Sequence, residues 1–385
     1  MSHPKILVKA EVLESLLTQY AAIPRNVVAE KAGISLAELE EMISENTEIS
    51  LSRAEKLAKV FYKPWTVFLL DAPPTAPAFG QDNRTVANQE HHVSPEMAVY
   101  LEEASNVLSF AEDIDPNRIL SLPVVDGQSV NNYERLAELM REHIGYSLEE
   151  VLKIKDHFEA LRYWKAKIQS LGIYVSEKPL PLDQVRAFSM MSERHAIIVV
   201  STKDIPYARI FSLFHELCHI LLKNTGICDL STTNTIEPFC NNFAASFLVS
   251  KRELADLIHG RQFDLTDVAD SVLVTELSKC FKISKLAILT RLKNLGYITD
   301  FAYTYAYEER VEAPASEVDQ SGHGNWHQNK IKSVGTLYST DVFSAYGEGR
   351  ISYQDVSRAL GVAQKNLEGY RKILFGGRAT HAGTN

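Results

Sequence analysis

His215, Glu216 and His219 stand in the order HExxH inside the apolar run Phe211 to Leu222, a spacing that can hold a metal ion. On an α-helix, residues four apart lie one turn above one another, about 6 Å apart, so two imidazoles can share one zinc. Glu216 then falls beside the ion rather than on it, where a general base must lie to take a proton from an activated water. The alternative is a pair of satisfied core histidines. Leu213, Phe214, Leu217, Ile220 and Leu221 make the helix largely buried, and buried imidazoles need partners.

A catalytic zinc normally has three protein ligands and one open position. Ile236 to Leu248 reads as a second buried helix, with Pro238 tolerable in its first turn. Glu237 starts that helix and faces the first one if the two pack antiparallel, which makes it the natural third ligand. Alone, Glu237 would be a first-turn charge favourable to the helix dipole; the upstream HExxH tips it towards the metal.

The segments HELCHILL and ExxCNxFAAxFL, preceded by Arg209 six residues before the first histidine, resemble the ImmA/IrrE family of zinc metallopeptidases. The resemblance implies that His215, His219 and Glu237 bind zinc and that Glu216 is the catalytic base. One departure is visible. Ser250 stands where the family usually has a proline, and with Glu253 it makes a capping box for the next helix. The resemblance also implies a zinc endopeptidase with a regulatory task and a protein substrate, a repressor or an operon partner, since members relieve transcriptional repression. Two other roles stay open: a non-proteolytic DNA- or protein-binding regulator with a structural zinc, and a component of a toxin-antitoxin-like operon.

Around the metal, Asn241, one turn beyond Glu237, is a candidate partner for a ligand. Tyr207, Arg209 and His195 are candidates for stabilising an oxyanion, with a structural ion pair as the alternative for Arg209. Cys218 and Cys240 each sit near a ligand and could approach one another, as redox-sensitive thiols or as small buried hydrophobes.

These residues need positioning elements. The expected fold is mainly α with a small β-sheet, an α+β chain with a zincin-like core. Helices are expected from Ser94-Pro95 to about Asp113, Asn132 to Ile144 and Glu149 to Leu171. Short strands follow at Ile173 to Val175, Val185 to Met190 and Ala196 to Ser201. The last, with Ala196, Ile197, Ile198, Val199 and Val200, is assigned the edge position that would hold an extended substrate. Past Glu237 the pattern stays helical: Lys251 to His259, Val272 to Lys282 and Lys285 to Leu295.

Residues 1–71 are expected to be helical and resemble a Cro/repressor-type (XRE) helix-turn-helix domain, with Gly33 at the turn and Ser35 and Glu38 forming a capping box. Residues 72–93 read as a Pro-rich linker, 94–305 as the metallopeptidase domain, 306–330 as a flexible linker and 331–385 as a C-terminal helical domain, with Gly361 at a second helix-turn-helix.

The two ends differ in charge. Ser35 to Glu48 contains Glu38, Glu40, Glu41, Glu45 and Glu48 and no cation, which disfavours DNA binding there, because phosphates demand cations. Residues 331–385 carry seven Lys or Arg against four acids and suit DNA better. The net charge of -9 gives no global attraction to nucleic acid. Four cysteines argue for reduced thiols, and no apolar stretch suits a membrane span or a signal peptide, so a cytoplasmic location is expected.

Overall fold

The computed structural model describes residues 5–19, 23–61, 63–73, 94–126, 129, 131–182, 184–224, 233–260, 271–300, 303–304 and 325–376. Contacts divide the chain into two units, Met1–Ser105 and Asn106–Asn385. Most of the 72–93 linker and all but the last residues of the 306–330 linker lie outside the described residues. The fold is mainly α with small sheets, as expected. Among the described residues no helix is long and apolar enough to cross a membrane.

In the first unit, β1 (Lys5–Val8) pairs antiparallel with β2 (Thr47–Ser50), where an all-helical segment was expected. Between them run α1 (Ala10–Gln19), α2 (Arg25–Ala32) and α3 (Leu36–Ser44), and α4 (Leu51–Val60) follows. Alternation in a four-residue strand is too brief to be read without its partner. The turn chemistry expected there is present. Gly33 takes φ 70°, and Ser35 caps α3 in a reciprocal capping box with Glu38. Leu13, Leu16, Val28, Leu39, Leu57, Phe61 and Phe68 form the core of the unit.

α5 (Pro95–Ile114) carries the chain into the second unit. There α6 (Tyr133–His143), α7 (Leu148–Lys153) and α8 (His157–Ser170) precede a three-stranded sheet. One helix was expected over Glu149 to Leu171. Asp156 splits it, its carboxylate accepting from the backbone N–H groups of Phe158 and Glu159 and so starting a new helix.

The sheet has the order β3 (Tyr174–Lys178), β5 (Ala196–Ser201), β4 (Ala187–Met191). β5 runs parallel to β3 and antiparallel to β4, with Val200 opposite both Glu177 and Ala187. All six β5 residues are buried, which explains its continuous apolar sequence. β5 is therefore the central strand, and the substrate-edge role expected for Ala196, Ile197, Ile198, Val199 and Val200 does not fit it: both of its backbone edges are already paired. Among the described residues β4 pairs only with β5 and keeps one edge open.

Next come α9 (Pro206–Asn224) and α10 (Thr233–Leu248). Ile210, Leu213, Phe214, Leu217 and Leu221 of α9, at helical spacing and almost fully buried, face the core. Phe214 stacks on Phe247 of α10, ring centroids 4.1 Å apart, with Trp164 of α8 edge-on to both. Two arginines pin the end of α10. Arg141 donates to the Phe247 carbonyl and to Glu253, and buried Arg291 donates to the Val249 carbonyl at 2.9 Å while gripping Glu134 with both terminal nitrogens. α11 (Lys251–Gly260), α12 (Ser271–Phe281) and α13 (Lys285–Asn294) complete the helical part of this core.

The C-terminal helices, α14 (Trp326–Val334), α15 (Thr336–Gly347), α16 (Tyr353–Leu360) and α17 (Gln364–Leu374), belong to the same unit. A separate domain was expected from residue 331. Instead the α14–α15 corner packs against β3: Ser176 Oγ donates to the Ser333 carbonyl at 2.6 Å, and Tyr174 OH to Asp341 at 2.9 Å. Gly335 turns the corner at φ 102°, where a Cβ would lie 2.6 Å from the Val175 carbonyl oxygen.

Candidate metal centre

Helical spacing alone brings His215 and His219 together, with their Nε2 atoms 3.1 Å apart. Packing of α10 against α9 supplies the third group. Glu237 Oε2 lies 3.2 Å from His215 Nε2, and Oε1 lies 3.3 Å from His219 Nε2. Among the described residues these three form the one cluster of potential ligands. α10 starts at Thr233, three residues before the expected start, so Pro238 lies inside the helix rather than near its first position.

The donors fit a zinc ion. Tetrahedral zinc with bonds of about 2.0–2.1 Å places its ligand atoms roughly 3.3 Å apart, close to the separations found here. Glu237 Oε1 is buried without a hydrogen-bond partner, near His219 Nε2 but not in bonding geometry. A cation between the three groups would satisfy it. Burial disfavours charge on His219, but the Cys240 thiol and the Glu237 carboxylate beside it outweigh that and push its pKa to about 10. Burial likewise opposes ionisation of Glu237, yet the two imidazoles beside it win and bring it down to about 2.

Asn241 faces His215 from α10. His215 Nδ1 donates to Asn241 Oδ1 at 2.9 Å, which leaves the Nε2 lone pair facing the cluster. Glu216 is buried and stands outside the ligand set. Its Oε2 accepts a 2.7 Å hydrogen bond from Ser189 Oγ on β4. Ser189 was not singled out from sequence. Only the face of β4 turned towards α9 identifies it, and that depends on strand order.

The three oxyanion candidates are engaged in contacts of their own or packed in the core. Arg209 is fully engaged: Nη1 donates to Glu177 at 3.0 Å, Nε to the Asp204 carbonyl at 2.9 Å and Nη2 to the Thr202 carbonyl at 2.5 Å. It ties the start of α9 to β3, so the structural ion pair is what the geometry holds. Tyr207 is eight residues before His215, about 12 Å along the helix. Its ring packs on His157 at 5.3 Å. His195 is fully buried and stacks on Tyr174, with both ring nitrogens unpartnered; burial lowers its pKa. Cys218 and Cys240 do meet, both fully buried. The hydrogen bond between them and then burial hold the Cys240 thiol well above its usual pKa, which describes inert small hydrophobes.

Residues 168–293, from the end of α8 through α13, match the model of a family described as the IrrE N-terminal-like domain, Peptidase_M78. That stretch contains the sheet, α9 and α10, and with them His215, Glu216, His219, Glu237 and Asn241. The match supports the resemblance to ImmA/IrrE proteins over that part of the chain, and with it a peptidase of a metal-dependent family. No curated protein matches the chain.

Proposed function

We propose that this protein is a zinc-dependent endopeptidase with a regulatory role, cleaving a repressor or another partner protein to control gene expression. The observation that carries it is the placement of two imidazoles and one carboxylate at zinc-ligand separations, with a second carboxylate beside them and not among them. His215, His219 and Glu237 would hold the metal, and Asn241 fixes the tautomer of His215. A zinc ion bound there supplies Lewis acidity towards a peptide carbonyl and towards water.

Glu216 performs the proton transfers. Ser189 occupies Oε2, so Oε1 is the atom that takes the proton from water and returns it to the departing amine. The low exposure of Glu216 keeps bulk water from competing for that proton. With β5 paired on both sides, the open edge of β4 is the strand to which an extended substrate would add main-chain hydrogen bonds, and Ser189 joins that strand to the base.

Co-incubation with the product of the neighbouring gene tests this. The parent chain should cleave it, and Glu216→Gln should bind as much zinc yet cleave nothing. Cleavage that survives the substitution removes Glu216 from its role. Zinc binding with no cleavage by the parent chain would instead favour a structural metal in a non-proteolytic regulator.

A further inference from the structure

α16 and α17 are joined by a turn at Gly361, φ 57°, and packed through Val356, Leu360, Val362, Leu367 and Tyr370. Tyr370 OH meets Ser339 Oγ of α15 at 2.6 Å, and a Cβ at Gly369 would lie 2.6 Å from His327 Nε2 of α14. One side of α17 is thus committed to the neighbouring helices. At 100° per residue the remaining face is an arc of about 120°. It holds Gln364, Lys365, Glu368, Arg371 and Lys372, all exposed, while Phe375 just past the helix packs edge-on against Phe343 of α15. Three cations stand there against one acid, and among the described residues none of the three has an ion-pair partner. A side-chain amide, Gln364, shares the face.

We infer that the exposed face of α17 is a nucleic-acid-binding surface that enters the major groove of duplex DNA, with α16 and α17 acting as a helix-turn-helix. A single helix fits that groove, and a face with separated cations and few acids matches paired phosphate rails. Lys365 and Lys372 lie towards one margin of the arc and Arg371 lies at the other, so cations border the face that would meet the bases. The inference is independent of any peptidase activity.

Fluorescence anisotropy of the full chain with a labelled mixed-sequence DNA duplex tests it. With three phosphate contacts, affinity should fall about 40-fold between roughly 50 and 200 mM salt, as counterion release requires. Lys365→Gln/Arg371→Gln/Lys372→Gln should lose most of the affinity and nearly all of the salt slope, with an unchanged thermal midpoint. Single Lys365→Gln and Arg371→Gln variants should each lower the slope by about 0.9 and serve if the triple variant does not fold. Three results overturn the inference: no binding by the parent chain at the lower salt, a folded variant that binds as the parent does, or competition by polyglutamate as effective as by unlabelled duplex. The last would mark a surface for an acidic protein segment.

Discussion

Two helix pairs in the second unit invite comparison. α9 and α10 turn their chemistry-bearing groups inward: His215, His219 and Glu237 meet across a packed interface that Phe214 and Phe247 hold together. α16 and α17 bury only apolar residues and one tyrosine between and behind them and leave Lys365, Arg371 and Lys372 in solvent. In the inner pair a functional group is also a packing group, so a substitution changes binding and stability together. In the outer pair the two separate. The α2–α3 pair adds a control, with the same left-handed glycine turn but an opposite charge: Glu40 and Glu41 are exposed on α3, Glu45 is exposed just after it, and Arg25 is spent on Glu40. Backbone geometry alone therefore does not assign a partner.

The sharpest test of the inner pair is removal of a ligand. Glu237→Ala should lower zinc affinity by more than about 100-fold, because losing a ligand must cost more than losing the residue that orients one. A competition titration with a chromophoric chelator measures it, and a change under tenfold breaks the three-ligand assignment. Next in size, Asn241→Ala should cost about 10–100-fold in zinc affinity, since His215 loses the acceptor that fixes its tautomer. Unchanged affinity would mean that helix packing alone orients the ring.

Gly335→Ala probes the corner that seats the C-terminal helices on β3. Strain at φ 102° and a Cβ lying 2.6 Å from the Val175 carbonyl oxygen should destabilise the second unit. The expected cost is about 1–3 kcal/mol, read by chemical denaturation. A neutral result would show that the corner does not bind the two parts together.

Proton release comes next. In the metal-free chain His219 has its pKa raised to about 10 and is charged at neutral pH, whereas Glu237, at about 2, is already ionised. Metal must displace the histidine proton, so affinity should rise with pH up to that value. Calorimetry near pH 7 in buffers of different ionisation enthalpy should find about one proton released per metal. Zero protons would contradict a charged His219. The smallest effect belongs to the outer pair: Arg371→Gln should alter stability by no more than about 0.5 kcal/mol, since it is an exposed group without an ion-pair partner among the described residues. A larger loss would show that the face is structural.

Much of the candidate metal centre was legible because it depends on local periodicity. A spacing of four on a helix fixes the approach of His215 to His219 whatever surrounds them, and the capping residues Ser35 and Ser250 mark helix starts by chemistry confined to one turn. Strand order was not legible. β5 is apolar from Ala196 to Val200, which points to burial on both faces but not to which strands flank it, so its sequence does not tell a central strand from an edge one. Arg209 and Tyr207 are close to His215 in sequence, yet a helix carries residues six and eight positions away about 9 and 12 Å along its axis.

The sequence by itself determined the two histidines, the glutamate beside them, the glycine turns and the contrast in charge between α3 and α17. Each rests on spacing or composition within a few residues. Only the tertiary structure decided that Ser189 touches Glu216, that Arg209 serves Glu177, and that the C-terminal helices pack on β3 through Asp341 and Gly335. Each of those contacts joins groups 27 or more residues apart, and their meeting follows from how the sheet and helices pack, which no local pattern encodes.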